Sequence, residues 1–219
     1  MILYSYFRSS AAYRVRIALA LKGLTPELRF VHLTKDGGQQ HAPEFRALNP
    51  QGRVPFLVDR LGDGTELRLG QSLAIIEYLD ETHPQPALLP RDAGGRARVR
   101  QIALAIAADI QPLQNLSTTQ RLESQLGADQ TQRDAWVRHW IGNGLQALET
   151  LLAADMATGR FCHGDAPGMA DCCLVPQLFA ARRFGADLAK FPTLVRIDAA
   201  CTALPAFAAA APAAQPDAE

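Results

Sequence analysis

The stretch that most constrains this chain is Tyr4-Ser5-Tyr6-Phe7-Arg8-Ser9-Ser10-Ala11-Ala12-Tyr13-Arg14-Val15-Arg16-Ile17-Ala18-Leu19. Met1-Ile2-Leu3-Tyr4 has the apolar and aromatic content of a short strand, and Gly23 sits where a helix begun near Ala11 needs its C-terminal stop. The stretch reads as a strand, a loop and a helix entrance. Ser9 and Ser10 fall at that entrance, where unpaired backbone N–H groups and the positive end of the helix dipole hold an anion or a thiolate. Serine at a helix start is more often an ordinary N-cap, so the functional reading needs support from elsewhere in the chain.

Charge narrows what the entrance could serve. Lys plus Arg and Asp plus Glu are both 22, so no global field favours nucleic acid or an anionic membrane. An anionic ligand must therefore be met by a local cluster. Cys162, Cys172, Cys173 and Cys201 lie in apolar surroundings without the paired spacing of a zinc or CxxC site, which predicts buried free thiols and no metal. With no signal-like N-terminal run and no apolar run of roughly 18 residues, the expected location is the cytoplasm.

The first third alternates strand and helix. Glu27 to Leu33 reads as a second strand, Lys35 to Gln40 as a loop and Pro43 to Leu48 as a short helix. Residues 49–58 read as an edge-like strand entered through Pro55, which belongs at a strand start, a sheet edge or a cis turn. A hairpin through Gly62-Asp63-Gly64-Thr65 returns to Glu66-Leu67-Arg68-Leu69. Gln71 and Ser72 then open an apolar helix, with Ser72 either its N-cap or part of a carboxylate site. Two anion-competent helix starts in one small unit suggest a ligand lying across both.

Prolines and glycines in residues 84–95 mark an interdomain linker, after which the pattern is helical. Val99, Ile102, Ile106, Ile110 and Leu113 step along one face of a long helix that Pro112 kinks, and Gln111 and Asn115 share another face. Trp136, Trp140, Gly144, Leu148 and Leu152 form the core stripe of a later helix. Asp171 stands at N3 if Gly168 is an N-cap, which predicts a half-formed capping box and a structural role. The Ala-rich stretch after Phe207, with Pro212 and Pro216, is expected to trail off as a flexible tail.

These motifs together resemble the zeta-class glutathione transferases over nearly the whole length. The likeness rests on Ser5-Tyr6-Phe7-Arg8-Ser9-Ser10, Arg14-Val15-Arg16-Ile17-Ala18-Leu19, Lys35-Asp36-Gly37-Gly38-Gln39-Gln40, Ala47-Leu48-Asn49-Pro50, Val54-Pro55, Gln71-Ser72-Leu73-Ala74-Ile75-Ile76-Glu77-Tyr78-Leu79, Ile110-Gln111-Pro112-Leu113-Gln114-Asn115 and Met169-Ala170-Asp171. It departs at Ala11, Tyr13 and Gly168, where the family usually carries Cys, Trp and Ser or Thr. Without a cysteine at Ala11, the helix start lacks the nucleophile of a glutaredoxin-like disulfide exchanger.

The resemblance implies an α/β thioredoxin-like N-terminal domain at residues 1–82, a linker at 83–91 and an all-α C-terminal domain at 92–219. It implies a homodimer, with glutathione as cofactor and a small dicarboxylate as substrate. Gln71 and Ser72 would take the γ-glutamyl end, Val54 before Pro55 the cysteinyl backbone, and Gln40, Gln111 and Asn115 would complete the site. The thiol would sit at Ser9 and Ser10, with either serine able to donate, and Arg8 and Arg183 would meet substrate carboxylates. The implied reaction is cis–trans isomerisation of maleylacetoacetate or maleylpyruvate: adding a thiolate makes the double bond single, so it rotates, and expelling the thiolate restores it. A thiol of pKa ~8.5 is only about 3% ionised at pH 7, so the site must lower that pKa. The same site could conjugate glutathione to haloacids, and the fold could serve as a non-catalytic binding module.

Overall fold

The computed structural model describes residues 1–219 and divides into two units, Met1–Ala87 with Leu204–Glu219, and Leu88–Ala203. In the first unit β1 (Ile2–Ser5), β2 (Glu27–Phe30), β3 (Phe56–Arg60) and β4 (Glu66–Gly70) form one sheet in the order β2-β1-β3-β4. β1 and β2 are parallel, joined through α1 (Ser10–Leu21), and the β1/β3 and β3/β4 pairs are antiparallel. α2 (Pro43–Leu48) begins on proline, which suits a first helical turn, and α3 (Ser72–Thr82) follows β4 directly.

The ends of α1 are set locally. Ser9 is the N-cap, its Oγ accepting the Ala12 N–H at 3.2 Å. At the other end Gly23 adopts φ +67°, and Leu24 N–H returns to Leu19 O at 2.9 Å while Gly23 N–H returns to Ala20 O at 3.1 Å. That pair of bonds closes the helix on a left-handed residue, which glycine adopts without a Cβ clash. Between these ends, Ala12 to Leu19 are all buried, two arginines included.

Several expectations are corrected here. β3 is an interior strand, and the edges are β2 and β4; Pro55 precedes the ladder instead of interrupting it, so it removes no sheet hydrogen bond. The second strand stops at Phe30, short of Leu33, and the Lys35 to Gln40 loop coils into two short 3-10 turns, Lys35–Gly37 and Gln39–His41. Residues 204–219, expected to end the helical domain as a flexible tail, belong to the first unit. Pro205 starts a helix, Phe207 and Ala210 bury against α1, and Arg16 Nε donates to Ala210 O at 3.1 Å.

The second unit is helical. α4 (Ala93–Leu104), capped by Asp92, runs into a π-helical stretch, Ala105–Ile110, ahead of α5 (Gln111–Gln114). The expected sharing of one helix face by Gln111 and Asn115 does not occur. Asn115 is extended, with ψ 149°, and its Oδ1 caps α6 (Leu116–Leu126) by accepting the Ser117 N–H. α7 (Gln130–Ala154) starts in a reciprocal capping box between Asp129 and Gln132. Its buried stripe is Val137, Ile141, Leu145, Leu148 and Leu152: Leu148 and Leu152 are core as expected, but over the first half of the helix the core lies one position on from Trp136, Trp140 and Gly144, and the two tryptophans flank it half-buried. Gly144 abuts Ile110, where a Cβ would overlap that side chain.

α8 (Met169–Arg183) is buried over most of its length, and α9 (Pro192–Thr202) packs against it; α10 (Pro205–Ala210) is the short helix of the first unit described above. All four cysteines are buried and unbridged, and no helix is long and apolar enough to cross a membrane. Asp171, 1% exposed, accepts the Gly168 N–H on Oδ2 and the Cys162 N–H on Oδ1, both at 2.8 Å. Its carboxylate thus ties the start of α8 to the preceding loop. Burial pushes its pKa up, against the pull of those two donors. Asp171→Ala leaves the buried Cys162 N–H and the part-buried Gly168 N–H without their acceptor, so it should cost about 3 kcal/mol in urea unfolding. A loss within about 0.5 kcal/mol, the range of an ordinary surface substitution, would remove Asp171 from this role.

Candidate active site

Sheet register brings three segments of the first unit to one end. Phe56 pairs with Tyr4 in β1 and with Gly70 in β4, so the loop leaving β1, the segment entering β3 and the turn leaving β4 emerge side by side. These carry Ser9 and Ser10, Val54 and Pro55, and Gln71 and Ser72. Tyr6, Phe7 and Val54 also bury in one apolar cluster with Val31, Phe45 and Phe56, which fixes the first two segments against each other.

Each segment presents polar groups that the chain leaves available. The Ser9 oxygen accepts from Ala12, so its hydroxyl proton is free to be given outward, and Ser10 is the first residue of α1. The Val54-Pro55 peptide is cis, and neither the N–H nor the C=O of Val54 is hydrogen-bonded within the chain. At α3 the expected cap is displaced by one residue. Gln71 occupies the cap position at φ +66° with no side-chain cap bond, and Ser72 is the first helical residue, buried. A non-glycine residue at positive φ is strained, and such strain concentrates at ligand sites. The first-turn N–H groups of α3 are left for a carboxylate.

Two buried arginines on α1 connect these parts. Arg14 Nη1 donates to Ser72 Oγ at 3.2 Å, linking the body of α1 to the start of α3. Arg16 spreads its guanidinium over the loop ahead of Ser9. Nη1 donates to Ser5 Oγ and Tyr6 O, both at 3.2 Å, and Nη2 to Phe7 O at 3.0 Å. Tyr6 O also receives the Ser9 N–H at 3.0 Å, so Arg16 holds the turn that delivers Ser9. Burial lowers the Arg16 pKa to about 10, which leaves it cationic at neutral pH.

The remaining expected residues are placed as follows. Arg8 is exposed, its guanidinium 4.9 Å from the centre of the Phe7 ring. Gln40 is buried, with Nε2 donating to Leu33 O at 3.1 Å, so its amide braces the loop that carries it. Gln111, Asn115 and Arg183 belong to the second unit. There Asn115 is a helix cap, and Arg183, exposed at the end of α8, lies over the Phe184 ring. Sequence reasoning missed Gln51, whose Oε1 accepts from Gln71 Nε2 at 3.1 Å, and did not see what Arg14 and Arg16 hold. Two arginines inside a helix otherwise apolar from Ala12 to Leu19 were the available signal, since buried arginine is rare without a partner.

Comparison with known proteins matches residues 3–87 to the glutathione S-transferase N-terminal domain and residues 134–215 to the glutathione S-transferase C-terminal domain. The chain belongs to the glutathione S-transferase family. A probable maleylacetoacetate isomerase of Vibrio cholerae is 51% identical over 218 residues, covering 100% of this chain and 98% of that protein. The holo structure of a maleylpyruvate isomerase, a bacterial zeta-class glutathione S-transferase, superposes with TM-score 0.93 at 47% identity over 100% of both chains. A maleylacetoacetate isomerase from Methylobacterium extorquens AM1, with bound malonate and GSH, gives TM-score 0.94 at 43% identity, again over 100% of both.

In this transferase-family chain the Arg16 clamp is open to direct test. Arg16→Met leaves several buried acceptors bare and should lower unfolding stability by more than about 3 kcal/mol. Arg16→Lys keeps the charge without the planar fork and should fall between. A loss below about 1 kcal/mol for Arg16→Met, the net worth of one ordinary hydrogen bond, would show that the loop does not depend on the guanidinium.

Proposed function

We propose that this chain is a glutathione-dependent isomerase that converts a cis maleyl dicarboxylate, maleylacetoacetate or maleylpyruvate, into its fumaryl isomer. The observation that carries the reading is the convergence at one sheet end of Ser9 at a helix start, the unpaired main chain of Val54 and the open N-terminus of α3. These groups suit a peptide that carries a carboxylate at one end and a thiol further along. The M. extorquens relative binds malonate, a dicarboxylate, together with GSH, which supports the substrate class.

On this reading the first-turn N–H groups of α3 and the Ser72 hydroxyl take the γ-glutamyl carboxylate, aided by Gln71. Val54 pairs in strand fashion with the cysteinyl residue, and Pro55 shapes that approach. The assignment of Gln40, Gln111 and Asn115 to the same ligand rests on the resemblance alone. When bound, glutathione supplies a thiolate that adds reversibly to the cis double bond. Ser9 donates its hydroxyl proton as a hydrogen bond to the sulfur, and the α1 dipole adds its field. Together they favour the ionised form. Ser10 is the rival donor. Arg8, beside Ser9, supplies charge for one substrate carboxylate, and Arg183 is the resemblance's candidate for the other.

The same reading takes the working form as a homodimer in a reducing, cytoplasmic compartment, in keeping with the four unbridged cysteines. A single 23.7 kDa species in sedimentation at micromolar concentration would contradict the dimer. For the activity, both maleyl substrates should be assayed with and without glutathione. Cis-to-trans conversion that needs glutathione but does not consume it supports the isomerase; stoichiometric consumption would point to a conjugating transferase instead. Ser9→Ala should cut turnover by a factor of about 10 to 1,000, as loss of one donor to a reacting anion does. Full activity in Ser9→Ala with loss in Ser10→Ala would transfer the role to Ser10.

A further inference from the structure

The peptide group joining Tyr6 to Phe7 is held at both ends by opposite charges. Its oxygen accepts from Arg16 Nη1, and its N–H donates to Asp217 Oδ2 at 3.0 Å, across 210 residues of sequence. Phe7 is 4% exposed, so this N–H has little access to water if Asp217 withdraws. The same oxygen receives the Ser9 N–H. One peptide group is therefore held by Arg16 and Asp217 and in turn holds the main chain of Ser9, the N-cap of α1.

Asp217 is itself held in place. Gln215 Nε2 donates to Ala209 O at 2.9 Å and to Ala211 O at 3.1 Å, Pro212 is buried, and Ala210 O is bound by Arg16. Beyond it the Glu219 carboxylate pairs with His32 and Lys35. The negative charge of Asp217 also favours the cationic form of Arg16. A carboxylate fixed from both sides, set on the main chain two residues before a candidate thiolate donor, does more than close the fold.

We propose that Asp217 is a positioning residue for the isomerisation: by fixing the peptide between Tyr6 and Phe7 it holds the Ser9 hydroxyl in line with the sulfur of bound glutathione. The proposal rests on the reading of Ser9 given above, and the test separates the two. Thiolate absorbance of glutathione bound to the full-length protein is titrated against pH, beside kcat and the KM for glutathione. The variants are Asp217→Ala, Asp217→Asn, Ser9→Ala and the double variant Ser9→Ala with Asp217→Ala.

Asp217→Ala should raise the pKa of the bound thiol and lower kcat about 10-fold, as misplacement of a catalytic group does, while the KM for glutathione stays within about twofold. Asp217→Asn still accepts from Phe7 without the charge, and should show about half that shift. In the Ser9→Ala background, Asp217→Ala should move the thiol pKa no further. If Asp217→Ala does not fold, the Asp217→Asn titration decides alone. A thiol pKa shifted by Ser9→Ala but unchanged in both Asp217 variants overturns the role of Asp217. A thiol pKa unchanged by Ser9→Ala overturns the reading of Ser9 instead.

Discussion

A buried guanidinium satisfied mainly by main-chain carbonyls is the contact on which the candidate site depends. Arg16 reaches Ser5, Tyr6, Phe7 and Ala210, so one side chain ties the end of β1, the loop before Ser9 and the helix formed by residues 205–210. Desolvation of a cation is costly, and the cost is offset only because every arm of the fork finds an oxygen. That makes the arrangement cooperative. If the loop moves, Arg16 loses partners; if Arg16 moves, the turn that delivers Ser9 loses its brace.

Arg14 does the corresponding work at the second helix start, through Ser72. Two residues apart on one helix, the arginines reach different segments, and α1 becomes the body on which both anion-competent ends are mounted. A chain with equal numbers of acidic and basic residues cannot draw an anionic peptide by its overall field. It can do so with local donors already oriented, some of them, at Val54 and Ser72, in buried surroundings where each is worth more than in water.

Much of this was legible in residue order. Apolar Ile2 and Leu3, the serines and Gly23 located α1 almost to the residue, Pro43 located α2, and Asp171 declared its capping role from its spacing to Gly168. What was not legible depended on distant partners. Pro55 leaves a strand start, a sheet edge and a cis turn open; it stands at a cis bond just before the strand, and what residue order could not tell is that the strand it enters is paired on both sides. Asn115 reads as a continuation of the helix through Pro112, yet its side chain competes for the main chain and starts a new one. The Ala-rich segment after Phe207 has the composition of a tail. The groups that order it, Arg16 and Phe7, lie some two hundred residues earlier. The tryptophans of α7 mark a face one position from the true core, since bulk alone does not say which side faces inward.

Amide hydrogen exchange at Phe7 and Ser9 tests the central claim most directly. If Arg16 holds the loop, both amides exchange only as slowly as the core of β1 in the parent protein, and in Arg16→Lys they accelerate while Leu3 and Leu57 keep their protection. Rapid exchange at Phe7 and Ser9 in the parent, or protection at both unchanged in Arg16→Lys, would contradict it.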